Sequence, residues 1–387
     1  MKVTTRIGTA LAATAVVLAC TCASASAFGA RPGHFFGRPF DPRSDHPVFV
    51  QTDNTAGNQI VAYDQAADGS LSQAGTYNTG GLGGVLEGSA VDHLASQGSL
   101  AYDRDNDLLY AVNAGSNTVS VFAVFGDRLA LRQVLSSGGP FPVSVAVDRG
   151  LVYVLNAEEG GSLQGFAVAS GRLIPIPGSS RALGLNPSET PQFTHTPGQV
   201  AFSPDGSQLI VTTKANGSDI DVFGVSSFGH LSKVPVVNSF PGAVPFAVTF
   251  DQEGNLVVAE AGTNSLASFA LNQSGTVSQL DSVGTGQEAT CWVVRAGGHF
   301  YVSNAASASL SDFQSSEGGQ LLTLLGNAET DAGTVDAAVS GQSRFLYVQA
   351  GGAGIVDEFA IGAQGALSKV GSVTVPGAAG GEGIVAL

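Results

Sequence analysis

The stretch Leu108 to Phe122, LLYAVNAGSNTVSVF, reads as strand, tight turn and strand. Leu108, Tyr110 and Val112 alternate with smaller or polar partners, Asn113 to Asn117 carry turn chemistry, and Val119 to Phe122 form a second β-rich run. Six further segments fit the template and close on Tyr63, Phe166, Phe223, Phe269, Phe313 and Phe359. From Tyr63 to Phe359 these aromatics recur at steps of 59, 44, 57, 46, 44 and 46 residues. A period in the mid-forties, with no helical periodicity between copies, is the pattern of a propeller blade. The expected fold is therefore all-β: a seven-bladed β-propeller over residues 48–387, four strands per blade. The two long steps contain insertions, residues 80–96 and 181–196.

The last seven residues, GEGIVAL, match the innermost-strand pattern of other blades (VSVAV, QVAFS, FAVTF) but have no blade of their own. The first blade lacks such a strand before Val48. The C-terminal strand is expected to complete blade one, which closes the ring and removes exposed sheet edges.

Low charge (12% of residues) and 52 glycines suit short strands joined by tight turns. The formal charge of −15 becomes −17 without the first 27 residues, and an acidic shell argues against a nucleic-acid partner. Residues 1–27 read as a secretory signal: Lys2 and Arg6, an apolar run too short to span a bilayer, then Ala25-Ser26-Ala27. A lipoprotein signal ending at Cys20 is the rival reading. No other apolar run approaches membrane length. Residues 28–47, with prolines 32, 39 and 42, read as an extended arm. Cleavage leaves Cys291 alone, read as a small buried hydrophobe beside Trp292. The Asp103–Asp107 run looks like the start of a calcium loop, but position twelve is Ala114 rather than Glu, so it reads as a hairpin turn. No paired-Cys or HExxH metal spacing occurs and no Ser sits in a GxSxG elbow, so neither metal nor cofactor is expected.

The YVxN pattern, a polar turn, VxVF and SPDG hairpins together resemble the seven-bladed lactonase propellers. That family includes 6-phosphogluconolactonase-like and carboxymuconate-cyclase-like proteins, and YVTN repeats of surface proteins are similar. The resemblance covers residues 48–387. Family members carry a stretch like PHxHSVxFSPDG at a mid-chain blade. Here it reads Thr194 to Gly206, THTPGQVAFSPDG, with Thr196 and Gly198 where the two histidines would stand and His195 one position out of register.

The resemblance implies a lactonase. Opening a lactone requires a group that polarises the carbonyl and one that activates water or protonates the leaving alkoxide. Candidate catalytic residues are His195, His93, Lys214 and Glu260, with Lys214 and Glu260 read as equivalent positions after second strands. Glu189, Arg181 and Asp336 are candidate substrate-binding residues. Asn113, Asn156 and Asn304 recur at one blade position and read as Asx turns. Both insertions directly precede innermost strands, so they should flank one channel mouth, with His93 and His195 on its rim and Asp92 and Glu189 beside them. A small-molecule substrate and a monomer are expected. The alternatives are a non-catalytic extracellular propeller that binds a ligand or partner, and a muconate-lactonising cyclase. The signal reading predicts that the exported protein starts at Phe28; N-terminal sequencing that finds another start, or a lipidated Cys20, would overturn it.

Overall fold

A computed structural model describes residues 46–316, 318 and 320–387. The leader and the arm up to residue 45 lie outside the described residues, and Pro47 already belongs to the first strand.

The quoted hairpin forms as expected, with strands Leu108–Asn113 and Thr118–Phe125 joined by a 3-10 turn, Ala114–Ser116. All six residues of the first strand are buried, not alternate ones, because both faces of the sheet are covered by neighbouring blades. The closing aromatic stands directly opposite an early residue of the second strand in each blade: Phe122 faces Leu109, Phe223 faces Leu209 and Phe269 faces Leu256. This shared register aligns all seven copies.

The register also explains the YVxN pattern. In blades three, six and seven the tyrosine hydroxyl reaches the next blade: Tyr153 donates to Gly229 O at 2.7 Å, Tyr301 to Gly365 O at 2.7 Å and Tyr347 to Gly69 O at 2.9 Å. Each acceptor is a glycine with positive φ in an outer turn. The valine fills the core. The asparagine does not make an Asx turn; its amide donates across its own hairpin. Asn113 Nδ2 bonds Thr118 Oγ1 and Ser120 Oγ, and Asn304 Nδ2 bonds Ser309 Oγ and Ser311 Oγ.

Seven antiparallel sheets result, each led by an innermost strand: Leu100–Asp103, Pro142–Asp148, Val200–Phe202, Pro245–Phe250, Thr290–Ala296, Thr334–Val339 and, for blade one, the C-terminal Ile384–Ala386. Blade three differs in one respect. Its outer strand is split into Arg172–Pro175 and Arg181–Ala182, because prolines 175 and 177 cannot donate to a ladder. The Asp103 run is a hairpin turn: Asp103 accepts Asp105 N, Asn106 N and the Tyr110 hydroxyl.

The closing strand pairs Val48 with Ala386, Phe49 with Val385 and Val50 with Ile384. Ile384 joins a core of Val48, Val50, Tyr63, Tyr347 and Val356 that spans the first and last blades. Deleting residues 384–387 removes this ladder and uncovers that core. The melting temperature is expected to fall by roughly 10 °C or more; an unchanged value would contradict closure by this strand.

Candidate functional site

Second strands run back toward the end of the ring where innermost strands begin. The residue five places beyond the aromatic-paired position therefore faces the mouth of the axial channel. In register order it is Asp53, Ala114, Ala157, Lys214, Ala261, Ala305 and Gly351. Five are alanine or glycine; two are charged. Asp53 gave no signal in any local motif and emerges only from this alignment.

Glu260 belongs to a different place. It stands one residue earlier, at the position of Asn113 and Asn304, and like them it bonds across its own hairpin. Its Oε2 accepts Ser265 Oγ at 2.7 Å and Thr263 Oγ1 at 3.2 Å. The equivalence expected between Lys214 and Glu260 is thus displaced by one residue, and Glu260 ties its hairpin rather than facing the mouth.

The first insertion does not flank the mouth. It crosses it. Gln97 exchanges hydrogen bonds with Val293 of blade six, donating from Nε2 at 3.0 Å and accepting Val293 N at 3.0 Å. Trp292 Nε1 donates to Ser96 O. The Ser96 hydroxyl donates to Val143 O of blade three at 2.8 Å. His93 N donates to Gly380 O at 2.8 Å. Leu86 and Leu94 are fully buried in a core that includes Phe141 and Val143. The glycines of blade seven make room for the crossing: a Cβ on Gly351 would collide with Val91 O. The second insertion docks on the first through Phe193 N to Glu87 O at 3.3 Å.

Beneath this strap lies a buried charged cluster. The Lys214 ammonium donates all three protons to uncharged oxygens: Ala95 O at 2.6 Å, Phe193 O at 2.6 Å and Thr196 Oγ1 at 3.1 Å. It also sits 5.3 Å from the centre of the Phe246 ring. Asp92 and Glu382 lie within electrostatic reach of it, and Asp53 and Asp336 within reach of Asp92; all four are less than 7% exposed. Asp92 accepts Leu94 N and Ala95 N, so the strap's own turn holds it inward. Asp53 accepts Glu382 N at 2.9 Å, and Asp336 accepts Ala337 N at 2.9 Å.

Burial disfavours charge on every one of these groups. It pushes the Asp53 and Asp336 carboxyls up to about 7 and raises Asp92. Glu382 is raised well above the usual carboxylate range by burial and then by the neighbouring Asp92 charge. Burial brings Lys214 down to about 8, although Asp92 and Glu382 oppose that shift. The Cys291 thiol, pushed up to about 12 by burial, stays neutral. Proton counting agrees at one point. Ser96 Oγ lies within bonding distance of both Val143 O and Glu382 Oε1, but a hydroxyl has one proton. Both bonds are satisfied when the Glu382 carboxyl carries the second. The cluster thus holds a protonated acid and a lysine of lowered basicity, groups able to give and take protons near neutral pH. Among the described residues no group of three or more His, Cys, Asp or Glu is arranged to hold a metal ion.

The other sequence candidates are scattered. His93 is only half-buried and packs its ring against Gly380. His195 ends the short helix Gln192–His195, with Nδ1 at 3.0 Å from Pro191 O, and lines a small outer cleft with Glu158, Glu159 and Glu189. Glu189 is exposed and bonded to Asn186. No bulge brings His195 into the family's histidine register. Thr196 fills the first histidine place and reaches Lys214, and the second cannot hold a side chain, since a Cβ on Gly198 would lie 2.6 Å from Phe246 O. Arg181 bonds Leu231 O and Ser232 O on the outer parts of blades three and four, away from the cluster. Asp336 is in the cluster, as are Asp92 and Glu382.

These shifts fix how stability should vary with pH. A carboxyl with a raised folded pKa binds its proton more tightly when folded, so its contribution is lost as pH rises from about 4 to about 7. Lys214 works in the opposite direction, and stability should recover from about pH 8 to about 10.5. Relative to Asp336→Asn, the wild type should lose up to about 1.4 kcal/mol per pH unit between pH 4 and 7. Parallel stability curves for the two proteins in urea would contradict a raised Asp336.

The family model described as "Lactonase, 7-bladed beta-propeller" matches residues 65–257. Comparison with curated proteins finds no match. Among solved structures, a protein named as a candidate 6-phosphogluconolactonase from Bacteroides fragilis superposes with a TM-score of 0.69 at 17% identity, covering 90% of this chain and 99% of its own. The periplasmic gluconolactonase of Pseudomonas aeruginosa gives 0.68 at 17%, covering 88% and 99%. A functionally unknown protein from Desulfotomaculum acetoxidans gives 0.65 at 16%, covering 88% and 98%. At these identities the likeness is one of fold. The family match over residues 65–257, together with the ring of seven closed blades, places the fold of this chain among the lactonase seven-bladed β-propellers.

Proposed function

We propose that the protein is an exported lactonase that opens a small, sugar-derived lactone at the channel mouth. The observation that carries this reading is the buried cluster itself. Four carboxyls and an ammonium buried under one strap are costly to desolvate, and such clusters concentrate where chemistry uses them. Lys214 is the proposed donor to the lactone carbonyl. Glu382 and Asp53, both held on the ring beneath the strap, are the proposed acid and base, one protonating the leaving alkoxide and the other activating water. The names of the Bacteroides fragilis and Pseudomonas aeruginosa structures favour an aldonolactone. Few basic residues stand near the mouth, which favours an uncharged sugar lactone over a phosphorylated one.

The second reading is a propeller that binds without chemistry, and it too has an observation behind it. All three Lys214 protons are already used by the strap, the second insertion and Thr196, so Lys214 would be a structural pin. Lactone formation from a muconate is different chemistry: one carboxylate adds across the conjugated C=C bond and a neighbouring carbon takes up a proton, with no water gained or lost, so it needs a proton donor beside that carbon.

Hydrolysis of an aldonolactone panel separates the readings. The wild type is expected to turn over at least one member. Lys214→Met and Glu382→Gln should lower the rate by roughly a hundredfold or more with folding intact by circular dichroism. His195→Ala should stay within a few-fold of wild type. Turnover by none of the panel would favour the binding reading, and a full-rate Glu382→Gln would remove that residue from the chemistry.

A further inference from the structure

The strap blocks the cluster that the proposed reaction needs. From Val85 to His93 it is largely surface chain: Val85, Glu87, Gly88 and Ala90 are exposed. Among the described residues, its backbone ties beyond itself in this stretch are three: His93 N to Gly380 O, and, with the second insertion, Phe193 N to Glu87 O and Glu87 N to Gln192 Oε1. Its far end is seated by shape: Val91 lies in a notch made by Gly333, Gly351 and Gly352 of blade seven, where a Cβ on Gly352 would be 3.4 Å from Val91 Cγ1. A segment with few hydrogen bonds to its scaffold and an exposed outer face opens at lower free energy than the sheets beneath it.

What the strap delivers to the mouth is a carbonyl. Ala95 O accepts from Lys214 Nζ at 2.6 Å, the place where a lactone carbonyl would accept. Ala95 holds φ at +49°, a conformation that an alanine adopts only when its surroundings impose it.

We propose that residues 85–95 form an autoinhibitory lid: the Ala95 carbonyl occupies the substrate's position on Lys214, and the lid lifts from the blade-seven notch, with the ring still folded, to admit the lactone. The activity part of this inference rests on the function proposed above. The motion does not, because the lid's own backbone carries a reporter. The His93 amide donates to Gly380 O at 2.8 Å, a bond that lifting the lid breaks and that opening of the ring is not needed to break.

The test is a reversible lock, the pair Val91→Cys with Gly352→Cys: a Cβ at 352 would lie 3.4 Å from Val91 Cγ1, the atom that a cysteine sulfur would replace. Deuterium labelling of the peptide that contains the His93 amide is followed by mass in the oxidised and the reduced protein. Oxidation is expected to slow labelling at least tenfold, and reductant to restore it. Lactone turnover should fall and recover in step. Labelling in the unlocked protein should be insensitive to low urea, because lifting a lid exposes far less surface than unfolding. Leu86→Ala, which loosens the lid's buried anchor, should speed labelling several-fold and serves where the disulfide does not form. Equal labelling rates locked and unlocked, no labelling of the native protein, or no change in Leu86→Ala would overturn the lid. Lid-dependent labelling without lactone turnover would retain the lid and reject the lactonase.

Discussion

Everything in this molecule depends on one pairing across the chain's two ends. The strand Ile384–Ala386 lies against Pro47–Gln51 and makes seven sheets into a closed ring. Closure allows each blade to bury both faces, which is why second strands such as Leu108–Asn113 are buried along their whole length. It also sets the chemistry of the mouth. Glu382 stands two residues before the closing strand, and its N–H donates to Asp53, two residues beyond the strand that the closing strand pairs with. The ring's seam and the charged cluster are the same piece of chain.

The cluster follows from an unequal distribution of side chains among equivalent positions. Where most blades place alanine or glycine at the mouth, blades one and four place Asp53 and Lys214. Asp336 joins them from an innermost strand and Asp92 from the strap. Their mutual repulsion and desolvation are offset in part by protons shared within the group and by backbone donors from Leu94, Ala95, Ala337 and Glu382. A strap that hydrogen-bonds to Trp292, Val293, Val143 and Lys214 keeps water out, and the low dielectric that results makes proton transfers there responsive to whatever displaces it.

The architecture is legible in the sequence because it repeats. Seven aromatics at regular steps and an orphan GEGIVAL are enough to anticipate the blades and their closure. The site is legible only in part. Lys214 and Asp336 stand out as charges at blade positions, and Asp92 and Glu382 at the insertion and the seam. Asp53 needs the register that strand pairing supplies, and the same register moves Glu260 into a hairpin role. The histidines attract attention because histidine is the usual neutral-pH acid and base. Their surroundings differ: Gly198 leaves no volume for a second histidine, and His195 is turned out by a helix one turn long. The path of the first insertion cannot be read locally, because contacts such as Ser96 with Trp292 and Gln97 with Val293 join residues 196 positions apart.

The central claim is that ligand binds at Lys214 under a strap that moves aside. A crystal structure of the protein with an aldonate, the ring-opened product, addresses it directly. The account predicts that a carboxylate or hydroxyl oxygen of the aldonate replaces Ala95 O on Lys214 Nζ, with Val91 out of its notch in blade seven. An aldonate bound elsewhere, in the cleft beside His195 for example, with the strap still seated on Lys214, would contradict it.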